Sequence, residues 1–175
     1  PPRSTLFPYT TLFRSEGWYK LYNNRGLLDK CVGIVSFGAI SEQFVRMLQP
    51  FHCDIKVYSR NIDDDKLAQY HMKKASLEEI FSTCDVISIH TVHNEQTHHM
   101  IDKKLLSTIK DGAVLVNTAR GGVIDEAAMI EELKTGRFSA ALDVFEKEPL
   151  ESGSPLYSLD RSEEHTSELQ SPNTI

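Results

Sequence analysis

Cys31-Val32-Gly33-Ile34-Val35, followed by Ser36-Phe37-Gly38-Ala39-Ile40-Ser41, is the stretch whose reading decides the fold. The first run is apolar without polar alternation, which suits a strand buried on both faces of a parallel sheet, and the small residues after it suit a tight turn. Phe44, Val45, Met47 and Leu48 then recur on one helical face, so a helix is expected, with Pro50 closing it. Asp54-Ile55-Lys56-Val57-Tyr58 reads as a second strand. Strand, turn, helix, strand is the repeating unit of a sheet flanked by helices.

The alternation continues along the chain. Ser76-Leu77-Glu78-Glu79 has the form of a capping box, in which the serine hydroxyl and a glutamate satisfy free amides at a helix start, and predicts a short helix to Thr83. Val86 to His90 reads as a strand, and Asp102 caps a helix carrying Leu105, Leu106 and Ile109. Ala113 to Asn117 is another buried strand. Asp125 caps a helix through Thr135, with Ala128, Met129, Glu132 and Leu133 at helical spacing and Gly136 marking its end, and Ser139 to Leu142 return as a strand. The fold class expected is α/β, a Rossmann-type doubly wound parallel sheet, incomplete. No internal repeat or low-complexity segment interrupts it.

Both ends read differently from the middle. Pro1 to Ser15, PPRSTLFPYTTLFRS, is letter for letter the translation of a common sequencing-library adapter, and Arg161 to Ser171, RSEEHTSELQS, is that of the opposite adapter. The expected organisation is an adapter-derived tail over 1–15, an α/β domain fragment over 16–160, and a second adapter-derived tail over 161–175, neither tail playing a structural part.

Composition narrows the partners. With 40% hydrophobic and 25% charged residues the chain has the balance of an ordinary globular protein, and its net charge of -6 gives no basic footprint for nucleic acid or anionic lipid. A small-molecule ligand is expected instead. No apolar run approaches a bilayer span and no leader pattern appears, so a cytoplasmic location is expected. Cys31, Cys53 and Cys84 are odd in number and lack C-x-x-C spacing, which points to small buried hydrophobes rather than a disulfide framework or a zinc site.

The turn after the first strand stands where a dinucleotide fingerprint would place glycines at 36, 38 and 41, and only Gly38 is glycine. In that fingerprint the central glycine lets the backbone approach the pyrophosphate, and the helix behind offers free amides and a partial positive charge. At the end of the second strand an acid would hydrogen-bond the ribose 2′-hydroxyl of NAD. Here the chain has Ser59 and Arg60, a plausible clamp for the 2′-phosphate of NADP. Asp63, Asp64 and Asp65 nearby oppose a dianion, and Arg60 also reads as a solvated loop residue, so the cofactor expected is NAD or NADP with a slight lean to NADP.

The most specific signal is N-T-A-R-G-G-V-I-D-E-A-A-M-I from Asn117, followed by A-A-L-D-V-F-E-K-E-P from Ala140. With these motifs the sequence resembles the D-isomer-specific 2-hydroxyacid dehydrogenases over essentially all of 16–160. The resemblance implies an oxidoreductase that moves hydride between NAD(P)H and a 2-keto acid or D-2-hydroxy acid, homodimeric when complete. It makes Arg120 the residue that binds the substrate carboxylate and keto oxygen, and Glu148 the carboxylate that orients a catalytic histidine. It places Asp143 at the nicotinamide carboxamide, Thr118 and Ala119 along the ring, Ala39 and Ile40 with Gly38 at the pyrophosphate, and Thr91 beside the cofactor. The chemistry suits these roles: an arginine fork matches a 2-keto acid at any working pH, and a glutamate bonded to imidazole stabilises the imidazolium that protonates a carbonyl. Without the motifs, Arg120 reads as a surface ion pair and Glu148 as a solvated turn residue.

The family's catalytic histidine lies in a T-P-H-type motif just past the point where this chain changes to adapter, so the fragment is expected to be inactive and to lack the substrate domain, which the family builds from the two chain ends. His165 falls in the adapter translation. His93, His98 and His99 cluster in a loop that matches a variable part of the family pattern, and no metal is expected there. His90 is expected to pack near the cofactor, and Val92 departs from the family's usual proline. Two other readings stand beside this one: a non-enzymatic dinucleotide-sensing module, corepressor-like, and oxidation of formate or phosphite on the same fold.

Overall fold

The structure, a computed structural model, describes residues 26–150, 153–158 and 162–164. The tail over 1–15, most of 161–175 and His165 therefore lie outside the described residues. Strands β1 (Cys31–Val35), β2 (Asp54–Tyr58), β3 (Met72–Lys74), β4 (Val86–Ile89), β5 (Val114–Asn117), β6 (Ser139–Leu142) and β7 (Ser162–Glu164) alternate with helices α1 (Ala39–Leu48), α2 (Asp64–Gln69), α3 (Leu77–Thr83), α4 (Lys103–Ser107) and α5 (Glu126–Lys134). The strands form one sheet in the order β3-β2-β1-β4-β5-β6-β7, and every pair is parallel. The order reverses at β1, which pairs with β2 on one side and β4 on the other.

Two cores lie on opposite faces of this sheet. Val32 and Ile34 of β1 join Ile55 and Val57 of β2 and meet Val45 and Leu48 of α1. Val35 of β1 turns the other way, with Ile87 and Ile89 of β4 and Leu115 of β5, against Ile80 and Phe81 of α3, Leu105 and Leu106 of α4, and Met129 and Leu133 of α5. Burial on both faces is why β1 reads as a continuous apolar run, while in β2 Ile55 and Val57 alternate with the half-buried Lys56 and Tyr58.

Helix starts follow the expected chemistry. The Ser76 hydroxyl accepts from the Glu79 amide at 3.1 Å, Asp102 from the Leu105 amide at 2.8 Å, and Asp125 from the Ala128 amide at 3.0 Å. The second half of the Ser76 capping box is diverted, because the Glu79 carboxylate takes Lys56 Nζ at 2.7 Å instead. Gly136, with φ of 71°, ends the last helix in the left-handed region that favours glycine.

Four details differ from the sequence reading. Met47 is 70% exposed, since Ser41, Val45 and Leu48 occupy the buried stripe of α1 and Met47 falls beside it. The short α2 and β3 stand outside the sequence reading because 64–74 is mostly charged and polar; only Leu67, Tyr70 and Met72 bring it to the core. Among the cysteines only Cys84 is fully buried, while Cys31 and Cys53 are half-buried. Finally, Ser162–Glu164, in the tail expected to be structurally idle, lies along β6 with Ala140 opposite Ser162 and Leu142 opposite Glu164. Pairing at a sheet edge uses backbone groups, which every residue but proline offers, so β6 accepts an extended segment whatever its side chains.

Gly33 marks the tightest approach of helix to sheet. A Cβ there would lie 2.3 Å from Ile80 Cγ2 and 3.1 Å from Cys84 Sγ, in a fully buried environment. Gly33→Ala is therefore expected to destabilise the domain by about 1–3 kcal/mol through overpacking, lowering the thermal midpoint by several degrees. A midpoint in thermal unfolding at or above that of the parent chain would refute close packing of α3 on β1.

Candidate active site

The carboxyl edge of a doubly wound sheet is where its ligands bind, above all at the strand pair where the order reverses, here β1 and β4. All the residues singled out in the sequence come to this edge. Gly38, Ala39 and Ile40 follow β1, Ser59 and Arg60 follow β2, Thr91 follows β4, Thr118, Ala119 and Arg120 follow β5, and Asp143 and Glu148 follow β6.

The turn after β1 is held by hydroxyls. Ser36, at φ of 72°, takes the backbone conformation that a first fingerprint glycine would take, and its amide donates to Tyr58 O at 2.7 Å. Its Oγ lies 2.8 Å from Oγ1 of the buried Thr91, which in turn donates to Val35 O at 3.3 Å, so a part-buried hydroxyl pair ties β1 to β4 at the floor of the crevice. Ser41, at the third glycine position, is also buried, and its Oγ accepts from the Gly38 amide at 2.7 Å. Above Gly38 a Cβ would meet nothing within 4 Å, leaving open space over the backbone, and Ile40 is 77% exposed at the mouth. His90 sits beside this floor, its ring centroid 5.8 Å from that of Phe44 and its Nε2 3.0 Å from Ser88 Oγ. Burial pulls its pKa below the ordinary histidine value.

The loops after β5 and β6 form the other half. Asn117 is buried, and its side chain accepts from the Ala119 amide at 3.1 Å and donates to Arg120 O at 3.0 Å, locking the backbone on both sides of Ala119. Arg120 is exposed, its Nη1 donating to Ala119 O at 2.6 Å, and Thr118 is exposed beside it. A Cβ on Gly121 would overlap the Phe145 carbonyl at 1.9 Å, so glycine alone permits the contact between these two loops. Across it, Asp143 donates its amide to Asn117 O at 3.0 Å, and Glu148 Oε1 accepts from the Phe145 amide at 3.1 Å. Glu148 is exposed, and no histidine is bonded to it among the described residues. Arg60 faces another loop, its Nη1 donating to Gln96 Oε1 at 2.9 Å, with Ser59 half-buried behind it.

Sequence reasoning missed Ser36, Ser41, Asn117 and Gly121 as builders of this edge. For the last two the N-T-A-R-G-G run carries the signal, since both flank Thr118 to Arg120 within it.

Comparison with known proteins places this arrangement. Residues 4–163 match the family described as D-isomer specific 2-hydroxyacid dehydrogenase, NAD binding domain. The chain is 37% identical over 135 residues to a glyoxylate reductase of Thermococcus litoralis, a match covering 76% of this chain and 41% of that protein. Among solved structures, a glyoxylate reductase from Paecilomyes thermophila superposes with a TM-score of 0.77 at 32% identity, covering 89% of this chain and 47% of that one. An NAD-dependent formate dehydrogenase from Staphylococcus aureus in complex with NAD gives a TM-score of 0.77 at 29% identity, covering 90% and 49%. The chain spans between about a quarter and two-fifths of the length of the curated relatives it matches. No helix among the described residues is long and apolar enough to cross a membrane. With the match running over nearly its whole length, this chain belongs to the D-isomer specific 2-hydroxyacid dehydrogenase family, as that family's NAD binding domain.

Proposed function

We propose that the protein carrying this domain transfers hydride between NAD(P)H and a 2-keto acid or D-2-hydroxy acid, and that this chain supplies the cofactor site and half of the substrate site. The observation that carries the reading is the joined pair of loops after β5 and β6, where Asn117 and Gly121 fix the backbone that presents Arg120 next to the loop of Glu148. Arg120 binds the carboxylate and keto oxygen, and Glu148 orients the imidazole that protonates the alkoxide oxygen as hydride arrives. That imidazole belongs to the part of the complete enzyme outside 16–160, as does the substrate domain, and the complete enzyme is a homodimer working in the cytoplasm. The tails over 1–15 and 161–175 are adapter-derived. The matched glyoxylate reductases favour an oxidoreductase over a sensing module, and glyoxylate and its homologues as substrates over formate.

The residues present fit a dinucleotide. The open space over Gly38 and the free first-turn amides of Ala39 and Ile40 suit the pyrophosphate; Thr118, Ala119 and Asp143 suit the nicotinamide end, with Thr91 shaping the floor beneath it. The nicotinamide supplies the hydride. At the adenosine end Ser59 offers a neutral hydroxyl and Arg60 a guanidinium, so NADPH is accepted at least as well as NADH.

Three measurements test this reading. In the full-length enzyme, Arg120→Ala should lower kcat/KM by an amount worth several kcal/mol, about two to three powers of ten, and Arg120→Lys should recover little of it; retention of most activity by either would remove Arg120 from the substrate site. Steady-state kinetics with both cofactors should show no tenfold preference for NADH, a difference of about 1.4 kcal/mol, and Ser59→Asp should create one. The 175-residue chain itself should bind NAD(P)H, seen by fluorescence, yet reduce neither glyoxylate, hydroxypyruvate nor pyruvate. Turnover by that chain would show that the general acid lies within it.

A further inference from the structure

A cluster unrelated to hydride transfer lies on the rim of the same edge. The loop after β4 carries His93, His98 and His99, and the fold brings Glu146, from the loop after β6, up against them. His99 Nε2 and Glu146 Oε1 are 2.8 Å apart, and the rings of His98 and His99 stack with centroids 3.9 Å apart. One ligand atom from each of His98, His99 and Glu146 lies within 4.8 Å of the others.

We propose that His98, His99 and Glu146 form a binding site for a divalent transition-metal ion of the zinc class. Two imidazoles and a carboxylate with an open fourth position are an established donor set for such ions, whose N and O ligands stand at about 2.0–2.2 Å. Ligand atoms around a tetrahedral ion are then roughly 3.4 Å apart, so closure from 4.8 Å asks the exposed or half-buried side chains to rotate, and the His98 and His99 rings, stacked 23° from parallel, to swing apart until both lone pairs meet the ion.

The surroundings favour the ion independently of that spacing. His98 Nδ1 lies 3.1 Å from Gly122 O, and a carbonyl only accepts, so in the neutral ring this contact favours the tautomer with the proton on Nδ1 and the lone pair on Nε2, free for a metal. Bonding of a ligand imidazole's second nitrogen to a backbone carbonyl is the usual outer-shell support of a metal site. His93 backs the arrangement, its Nε2 3.0 Å from the same Nδ1 and its ring held against the Cα of Gly122. A second carboxylate adds negative charge, since Glu126 Oε2 accepts from the Glu146 amide at 2.9 Å. In the sequence the three histidines read as part of a loop that varies across the family, and the anionic ligand stands 47 residues from His99.

The ion bridges the loop after β4 to the loop that also carries Glu148, so binding stiffens the rim of the cleft. The test is titration of the 175-residue chain with cobalt(II), followed by displacement with zinc. One cobalt per chain, with the intense visible absorption of a four- or five-coordinate ion, is expected. His99→Ala and the isosteric Glu146→Gln should each weaken binding at least tenfold, while His52→Ala and His71→Ala, on exposed histidines elsewhere, should not. Zinc should also raise the thermal midpoint of the parent chain and not that of Glu146→Gln, which separates metal binding from a simple hydrogen-bonded pair. Cobalt that keeps the weak spectrum of the hexa-aquo ion, or binding undiminished in both ligand variants, overturns the site.

Discussion

Everything in this domain hangs from β1, which is buried on both faces and paired on both edges. Cys31 to Val35 bond to β2 along one side and to β4 along the other, and alternate residues reach opposite cores. A strand so placed has little room for a polar residue, and at Gly33 even a Cβ would force Ile80 aside, because α3 descends onto it there. The reversal of strand order at β1 then leaves a crevice at its carboxyl end that neither neighbouring crossover covers. The candidate site is thus a consequence of topology before any side chain is chosen.

How much of this could be read from the chain follows from the same physics. Strands buried on both faces announce themselves as apolar runs, and side-chain caps such as Ser76, Asp102 and Asp125 announce helix starts, so β1, β2, β4, β5, β6 and the longer helices were legible. The short α2 and β3 were not, because only Leu67, Tyr70 and Met72 of that stretch meet the core, too few and too scattered for a periodic pattern. β7 was not legible for a different reason: its pairing to β6 is a backbone affair, and its side chains play no part in selecting it.

The site shows the complementary limit. Arg120 and Glu148 are exposed, and composition or periodicity gives an exposed charged residue no meaning. Their reading rested on the motifs from Asn117 and Ala140, and the structure supplies the mechanical reason those motifs hang together. Asn117 uses both ends of its amide on the backbone flanking Ala119, and Gly121 lets that turn press against Phe145. Contacts between loops remote in sequence, such as His99 with Glu146, carry no local signal at all and emerge only from the fold.

The two serines that replace fingerprint glycines show how the turn keeps its function. A non-glycine residue at positive φ costs on the order of 1 kcal/mol, and Ser36 bears that cost at φ of 72°. Its hydroxyl bond to the buried Thr91 offsets part of it and adds a tie between β1 and β4 that glycine could not make. Ser41 fits the tight approach of α1 because it is small, and its hydroxyl takes the Gly38 amide, one of the donors a helix start leaves free. That amide is consequently withdrawn from ligand binding, while the first-turn amides of Ala39 and Ile40 keep no intrahelical acceptor. Gly38 therefore serves by the space above it rather than by its N–H, and an anion approaching this turn meets the amides of the two residues after it.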